Sequence, residues 1–282
     1  MSVGLPVARK DALEKVRGAA QYVDDDVPAG CWFGATVRSS IPYGRIRSIR
    51  IPDGLEQDAP VIVTARDIPG RNLVALITED QPLLADEVVR HVGEAVVLLA
   101  GPDRDRVQRA ARAIEIDYDP LPAVLDLQAA LERGSAHDCE TPKPLWIHRG
   151  DLDAGFAAAD LILDGTYLVG HQEQLYIETN GFIAWWEPDG SLVVKGSHQC
   201  PYYVHKAMKA VFDLSDDQVR VICTVTGGGF GGKEDFPSVI AGHAALLSKK
   251  AGHPVKIIYR RGEDFACTTK RHPARITYRT GV

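Results

Sequence analysis

The segment T-G-G-G-F-G-G-K-E-D, residues 226–235, constrains this chain more than any other. Five of the six positions from 227 to 232 are glycine. Glycine loses more backbone freedom on folding than any other residue, so a run this dense needs a reason. Its flanks define its setting. Residues 219–225 are rich in β-branched side chains and predict a strand. Residues 237–250 open on proline and place Ile240, Ala244 and Leu247 on one helical stripe. The run is therefore a strand-to-helix loop. Bare N–H groups near the positive end of the following helix suit an anionic or oxo-bearing ligand. A tight turn is the plainer account, but five glycines exceed what a turn requires.

Two nucleotide-binding patterns can be laid over the loop, and both fit poorly. Gly227, Gly229 and Gly232 satisfy G-x-G-x-x-G, but that fingerprint needs an acidic residue about 20 positions on. Lys249 and Lys250 stand there instead. Gly227, Gly232 and Lys233 satisfy G-x-x-x-x-G-K, but a phosphate loop then needs Ser or Thr for its magnesium ion. Glu234 follows, and its charge would repel the phosphates.

Around the loop the pattern is mixed. Residues 32–37, 61–64 and 95–99 read as strands, and 103–115 as a helix with Val107, Ala111 and Ile114 on one face. Residues 116–118 look extended, Pro120 and Pro122 interrupt, and a short helix over 126–132 ends at Gly134. Residues 134–145 have turn composition and no periodicity, which predicts a linker between domains at 1–133 and 146–282. In the second domain 161–163 and 166–169 are strand material. Residues 182–186 and 192–195 flank P-D-G as a hairpin. Adjacent Trp185 and Trp186 must face opposite sides, one to the core and one to its rim. Residues 201–213 form a helix with Val204, Met208 and Val211 on one stripe, and 255–259 and 274–278 are strands. The fold class is α+β.

Composition excludes several functions. With 282 residues, 45% of them hydrophobic, the chain is long enough to bury a sizeable core. Its net charge is −6 and its Lys and Arg are scattered, unlike a nucleic-acid or polybasic membrane surface. Cys31, Cys139, Cys200, Cys223 and Cys267 are widely spaced with no C-x-x-C, which argues against a disulfide framework, an iron–sulfur cluster or structural zinc here. Reduced, mostly buried thiols in a cytoplasmic protein are expected. No signal peptide is read, and no apolar run approaches the ~20 residues needed to span a bilayer.

The G-G-G-F-G-G-K-E run resembles the molybdenum-site loop of the xanthine dehydrogenase/aldehyde oxidase family of molybdenum hydroxylases. G-H-Q-E-Q-L-Y-I-E-T at 170–179 is similar to that family's glutamine loop, G-G-Q-E-x-x-Y-L-E, with His171 where glycine is usual. D-A-L-E-K-V-R-G-A-A-Q-Y at 11–22 and V-R-S-S-I-P-Y-G-R-I at 37–46 resemble the opening of its α/β-hammerhead domain. The resemblance implies a hammerhead domain followed by the first part of a mixed α/β molybdenum-cofactor-binding domain. It implies a metal held by a pterin dithiolene, with no side-chain ligand. It also implies that carbons of a purine, a related N-heterocycle or an aldehyde are oxidised with water-derived oxygen, and that electrons pass to 2Fe-2S and FAD on partner chains or domains.

Residue by residue, the resemblance gives Gln172 the hydrogen bond to a metal-bound oxygen, which an amide can donate without adding charge. It gives the backbone of Gly229, Phe230 and Gly231 the face toward the metal, with the Phe230 ring as an apolar anchor for the loop. It makes Glu234 the group that orients a purine or related heterocycle; the plainer role is a charge at a helix start. Lys233 is read as a structural or surface charge. The family's catalytic base lies beyond the part resembled, so a partner carrying the rest of the molybdenum subunit is expected, and no turnover by this chain alone. A non-catalytic pterin- or partner-binding module and a nucleotide-binding protein stay open as alternatives.

Overall fold

The structure is a computed structural model that describes residues 3–74, 79–136, 139–140 and 145–282. After helix α1 (Ala12–Val16) come strands β1 (Trp32–Arg38), β2 (Gly44–Arg50), β3 (Val61–Val63), β4 (Val88–Val89) and β5 (Ala95–Gly101). Helix α2 (Arg104–Ala113), strand β6 (Glu115–Pro120) and helix α3 (Leu127–Arg133) follow. A short pair, β7 (Ser135–Ala136) and β8 (Cys139–Glu140), precedes α4 (Leu152–Ala158) and β9 (Ile162–Val169). Then come β10 (Gly181–Trp186), β11 (Leu192–Gly196), α5 (Pro201–Phe212), β12 (Val219–Cys223) and α6 (Pro237–Ala251). The last elements are β13 (Val255–Ile258), α7 (Arg261–Cys267) and β14 (Ala274–Gly281).

Most predicted elements form within a few residues of their expected bounds. The reasons are local. Gly134 ends α3 in the left-handed conformation, φ 76°, that glycine tolerates best. Asp103 and Asp126 cap α2 and α3 by accepting from Arg106 and Ala129 N–H. Strands β2 and β4 and helices α4 and α7 carry no clear periodic signal; β2 is Arg-rich and mostly exposed. The two strand fragments at 161–163 and 166–169 are one strand, continuous through Gly165. That glycine lies under the stacked Tyr167 and Tyr278 rings, and a Cβ there would sit 2.9 Å from both. Of the expected linker, residues 137–138 and 141–144 lie outside the described residues.

One seven-stranded sheet, ordered β12-β11-β10-β13-β1-β5-β3, takes strands from both halves of the chain. The halves join where β1 runs parallel to β13, with Trp32 opposite Val255. Strand β5 is apolar along its length because both its faces are covered. Leu98 and Ala100 enter the larger core cluster and Val97 and Leu99 the smaller. Helix α2 and its C-terminal cap contribute Val107, Ala110 and Ile114 to the smaller one.

Helix α6 corrects the expected stripe. Every residue from Pro237 to Ser248 is buried, because the helix lies between the sheet and α5. Trp186 packs edge-on against Phe212, and its indole N–H donates to Ala245 O; Trp185 bonds Glu187 on the rim. The cysteines need a correction too. Among the four described, all free, Cys267 is buried, Cys31 and Cys200 are half-buried and Cys223 is exposed.

Candidate functional site

Sheet register gathers four connections at one end of the sheet. Phe182 pairs with Gly196, Gly196 with Cys223, and Gly181 with Ile258. The chain entering β10 therefore meets the chain leaving β11, β12 and β13. These connections are residues 170–180, Ser197–Gln199 with the start of α5, the glycine loop, and the start of α7. Two motifs separated by tens of residues in sequence thus lie side by side.

The glycine run is explained chiefly by the protein's own side chains. A Cβ on Gly227 would sit 2.4 Å from Glu178 Cβ, one on Gly229 2.4 Å from Gln199 Oε1, and one on Gly232 2.5 Å from the Tyr176 ring. These three glycines let the loop lie flat on its neighbours. Gly228 and Gly231 answer a different need, φ of 98° and 88°. The close approach that so many glycines imply is thus made in large part by this chain's own side chains. What the loop leaves unused is the N–H groups of Gly228, Gly229 and Phe230, which make no hydrogen bond among the described residues. Gly229 is buried, and buried backbone donors without partners are rare.

Phe230 is left-handed at φ 52°, which costs a bulky residue roughly 1–2 kcal/mol. The residue is 75% exposed, so its ring is not buried in the core of this chain as an apolar anchor would be. Leu175 in the facing segment is also left-handed, φ 55°, and exposed. Strain of this kind persists only where surrounding contacts enforce it. The Gly231 N–H does not point to open space: it donates to Gln199 Oε1 at 3.0 Å. Gln172 is exposed, with its backbone held in a bridge to Arg271 by bonds of 3.2 and 3.0 Å. Its side chain makes no hydrogen bond among the described residues, and the residues of its segment that touch the loop are Gln174, Tyr176 and Glu178. Glu234 is exposed and its carboxylate is likewise unbonded among them. After burial, Glu234 and Asp235 are what push the Cys200 thiol pKa up, which places Glu234 beside the start of α5.

Sequence reasoning passed over the groups that hold this site. Of the two readings of Lys233, structural or surface charge, the structure takes the first: it is fully buried, 3.0 Å from both Glu178 Oε2 and Ser197 Oγ, with its ammonium 4.8 Å from the Tyr176 ring centre. Burial lowers its pKa and the Glu178 carboxylate opposes that. Tyr176 donates to Asp264 Oδ1 at 2.6 Å, and Asn180 N–H to Asp264 Oδ2 at 2.7 Å. Burial first, and the bond to Asp264 second, hold the Tyr176 phenol above its ordinary range. Glu178 stands inside the glutamine-loop motif at 170–179, a signal that could have found it; Gln199 carried none.

Comparison with known proteins bears on what such a site belongs to. Residues 136–282 match the molybdopterin cofactor-binding domain, and residues 17–122 match the aldehyde oxidase and xanthine dehydrogenase a/b hammerhead domain. The chain belongs to the molybdenum hydroxylase family. It is similar to two curated members of that family, each at 32% identity over 99% of this chain: the nicotinate dehydrogenase large molybdopterin subunit of Eubacterium barkeri and the xanthine dehydrogenase of Blastobotrys adeninivorans. It spans 66% and 20% of those relatives' lengths. Among solved structures of the molybdenum hydroxylases, quinoline 2-oxidoreductase from Pseudomonas putida 86 superposes on all of this chain with a TM-score of 0.85 at 26% identity, the match covering 37% of its own length. Like them, this chain combines a hammerhead domain with a cofactor-binding domain in a mixed α/β fold.

Proposed function

We propose that this chain forms part of the molybdenum–pterin subunit of a hydroxylase that oxidises an electron-poor carbon of a purine or related N-heterocycle. The observation that carries the reading is the row of N–H groups at Gly228, Gly229 and Phe230, unbonded among the described residues, on the strained loop of a molybdopterin cofactor-binding domain. These donors fit a group bearing oxo ligands: fixed N–H dipoles stabilise negative charge without reorganising. When bound, the molybdenum–pterin group supplies a two-electron oxidation with oxygen derived from water.

The chain's own residues would act around it. The backbone N–H groups of Gly229 and Phe230 would donate to its oxygens, Gly231 would keep the turn open, and Gln172 would donate its amide from the adjoining segment. Glu234, exposed and unbonded among the described residues, accepts from a heterocycle's N–H and fixes which carbon is presented. Similar proteins are named for both classes, a nicotinate dehydrogenase and a quinoline 2-oxidoreductase on one side and indole-3-acetaldehyde oxidases of Arabidopsis thaliana on the other, so the preference for heterocycles rests on Glu234. We place the hammerhead domain at 1–133 and the cofactor domain at 146–282. Iron–sulfur and FAD components carry the electrons away, the rest of the molybdenum subunit completes the pocket, and the assembly works in the cytoplasm. No helix among the described residues is long and apolar enough to cross a membrane.

The test is to isolate the chain with its natural partners, measure bound molybdenum, and run turnover on purine, pyridine and quinoline substrates in 18O-labelled water. Stoichiometric molybdenum and label in a hydroxylated heterocycle are expected. Absence of the metal, or oxidation of aldehydes alone, would overturn the cofactor or the substrate part respectively.

A further inference from the structure

One carboxylate holds both ends of the glycine loop. Glu178 Oε2 accepts from the Gly227 N–H at 2.7 Å, at the loop's start, and from Lys233 Nζ at 3.0 Å, at its end. Ser197 Oγ donates to the same oxygen at 2.6 Å and also lies 3.0 Å from Lys233 Nζ, closing a buried triangle. The Glu178 N–H in turn donates to Gly227 O at 3.2 Å. Between the two held ends lie the positive-φ residues Gly228, Phe230 and Gly231. Removing both charges from water is costly, and a buried ion pair is weak evidence for stability. Its use must be sought in what it specifies.

We propose that Glu178 is a positioning residue: by tying Gly227 to Lys233 it sets the span of the loop and forces the left-handed turn that leaves the Gly228–Phe230 N–H groups unused. This deepens the proposed function and rests on it only for the claim that those groups meet the cofactor. The clamp itself is a property of this chain. Gln199 supports the same geometry from the other side, accepting from the N–H groups of Gly231 and Lys233. The Gln199 N–H also donates to Lys233 O at 2.7 Å, so the loop's C-terminal end is held by Gln199 as well as by Glu178, and its N-terminal end by Glu178.

The test compares Glu178→Gln, Lys233→Met and the double variant in the full protein. Each is read by hydrogen exchange at the Gly231, Gly232 and Lys233 amides and by retained molybdenum. None of those amides bonds Glu178 directly, so their exchange reports loop shape. Each single variant should speed their exchange by roughly tenfold or more while the amides of α5 keep wild-type protection. The double variant leaves no lone buried charge and should recover part of the loss. Molybdenum retention should fall in step with loop protection. Unchanged loop exchange in both single variants, or a rise shared equally by α5, would overturn the clamp. A loosened loop with full molybdenum content would uphold the clamp and overturn the claim that the Gly228–Phe230 N–H groups hold the cofactor, leaving the molybdenum–pterin reading itself standing.

Discussion

Phe230 and Glu234 lie four residues apart and are governed by different physics. Phe230 is strained and its ring is mostly in water, so replacing it with glycine removes roughly 1–2 kcal/mol of left-handed strain. The flexible unfolded chain gives back about 0.5–1 kcal/mol. Phe230→Gly should therefore leave the urea midpoint unchanged or slightly raised; a clear fall would mean that the ring anchors the loop after all. Glu234 is unstrained and unbonded among the described residues, so its value must lie in what it meets. If it orients a heterocycle, Glu234→Gln or Glu234→Val loses a charge-assisted bond of about 1.5–3 kcal/mol. That is roughly one to two orders of magnitude in kcat/KM for the heterocycle. Aldehydes lack the ring N–H and should change little, and molybdenum content should hold. Equal losses on both substrates would assign Glu234 to folding or cofactor retention. Both residues stood out in the sequence, but the exposure of the Phe230 ring did not. A phenylalanine amid glycines reads as an anchor until its backbone angle is known.

At the scale of elements, α6 shows how position overrides pattern. Its apolar stripe was legible, but burial all round was not, because Ser238, Gly242, His243 and Ser248 sit on faces that other elements cover. His243 is the cost of that position. Its Nε2–H donates to Leu83 O at 2.9 Å while Nδ1 has no partner among the described residues to receive a second proton. Burial pulls its pKa down to about 3 from an ordinary 6.5. The unfolded chain therefore takes up the proton first as pH falls. The contribution of neutral His243 is whole above about pH 6.5 and is lost progressively toward pH 3, at about 1.4 kcal/mol per pH unit. His243→Gln should flatten urea-unfolding stability by about that slope between roughly pH 6 and pH 4. An unchanged slope would show that the imidazole is not held neutral.

At the scale of the whole molecule, the two halves share one sheet, and a few polar contacts fasten the junction. Arg38 on β1 bonds Glu263 on α7 at 2.9 Å and donates to Gly93 O at 3.1 Å, with its guanidinium 4.9 Å from the Tyr259 ring centre. Removing the carboxylate leaves a mostly buried cation, so Glu263→Ala should destabilise by about 3 kcal/mol. Wild type and variant should each unfold in one step, with tryptophan fluorescence and far-UV circular dichroism coincident, since neither half can lose its strands alone. Two separated transitions would show independent domains. By itself the sequence determined the hairpin at 182–195, the helices over 103–115 and 201–213 and a loop of bare backbone between β12 and α6, because periodicity and turn residues act over a few neighbours. It also carried both motifs that mark the family. The tertiary structure decided which groups press on that loop. Glu178 meets Gly227 from 49 residues away and Lys233 from 55. Apolar periodicity tells which face of an element is buried; it does not tell which distant segment covers it. Only the sheet register brings these residues together, and with them the reason for the glycines and the burial of Lys233.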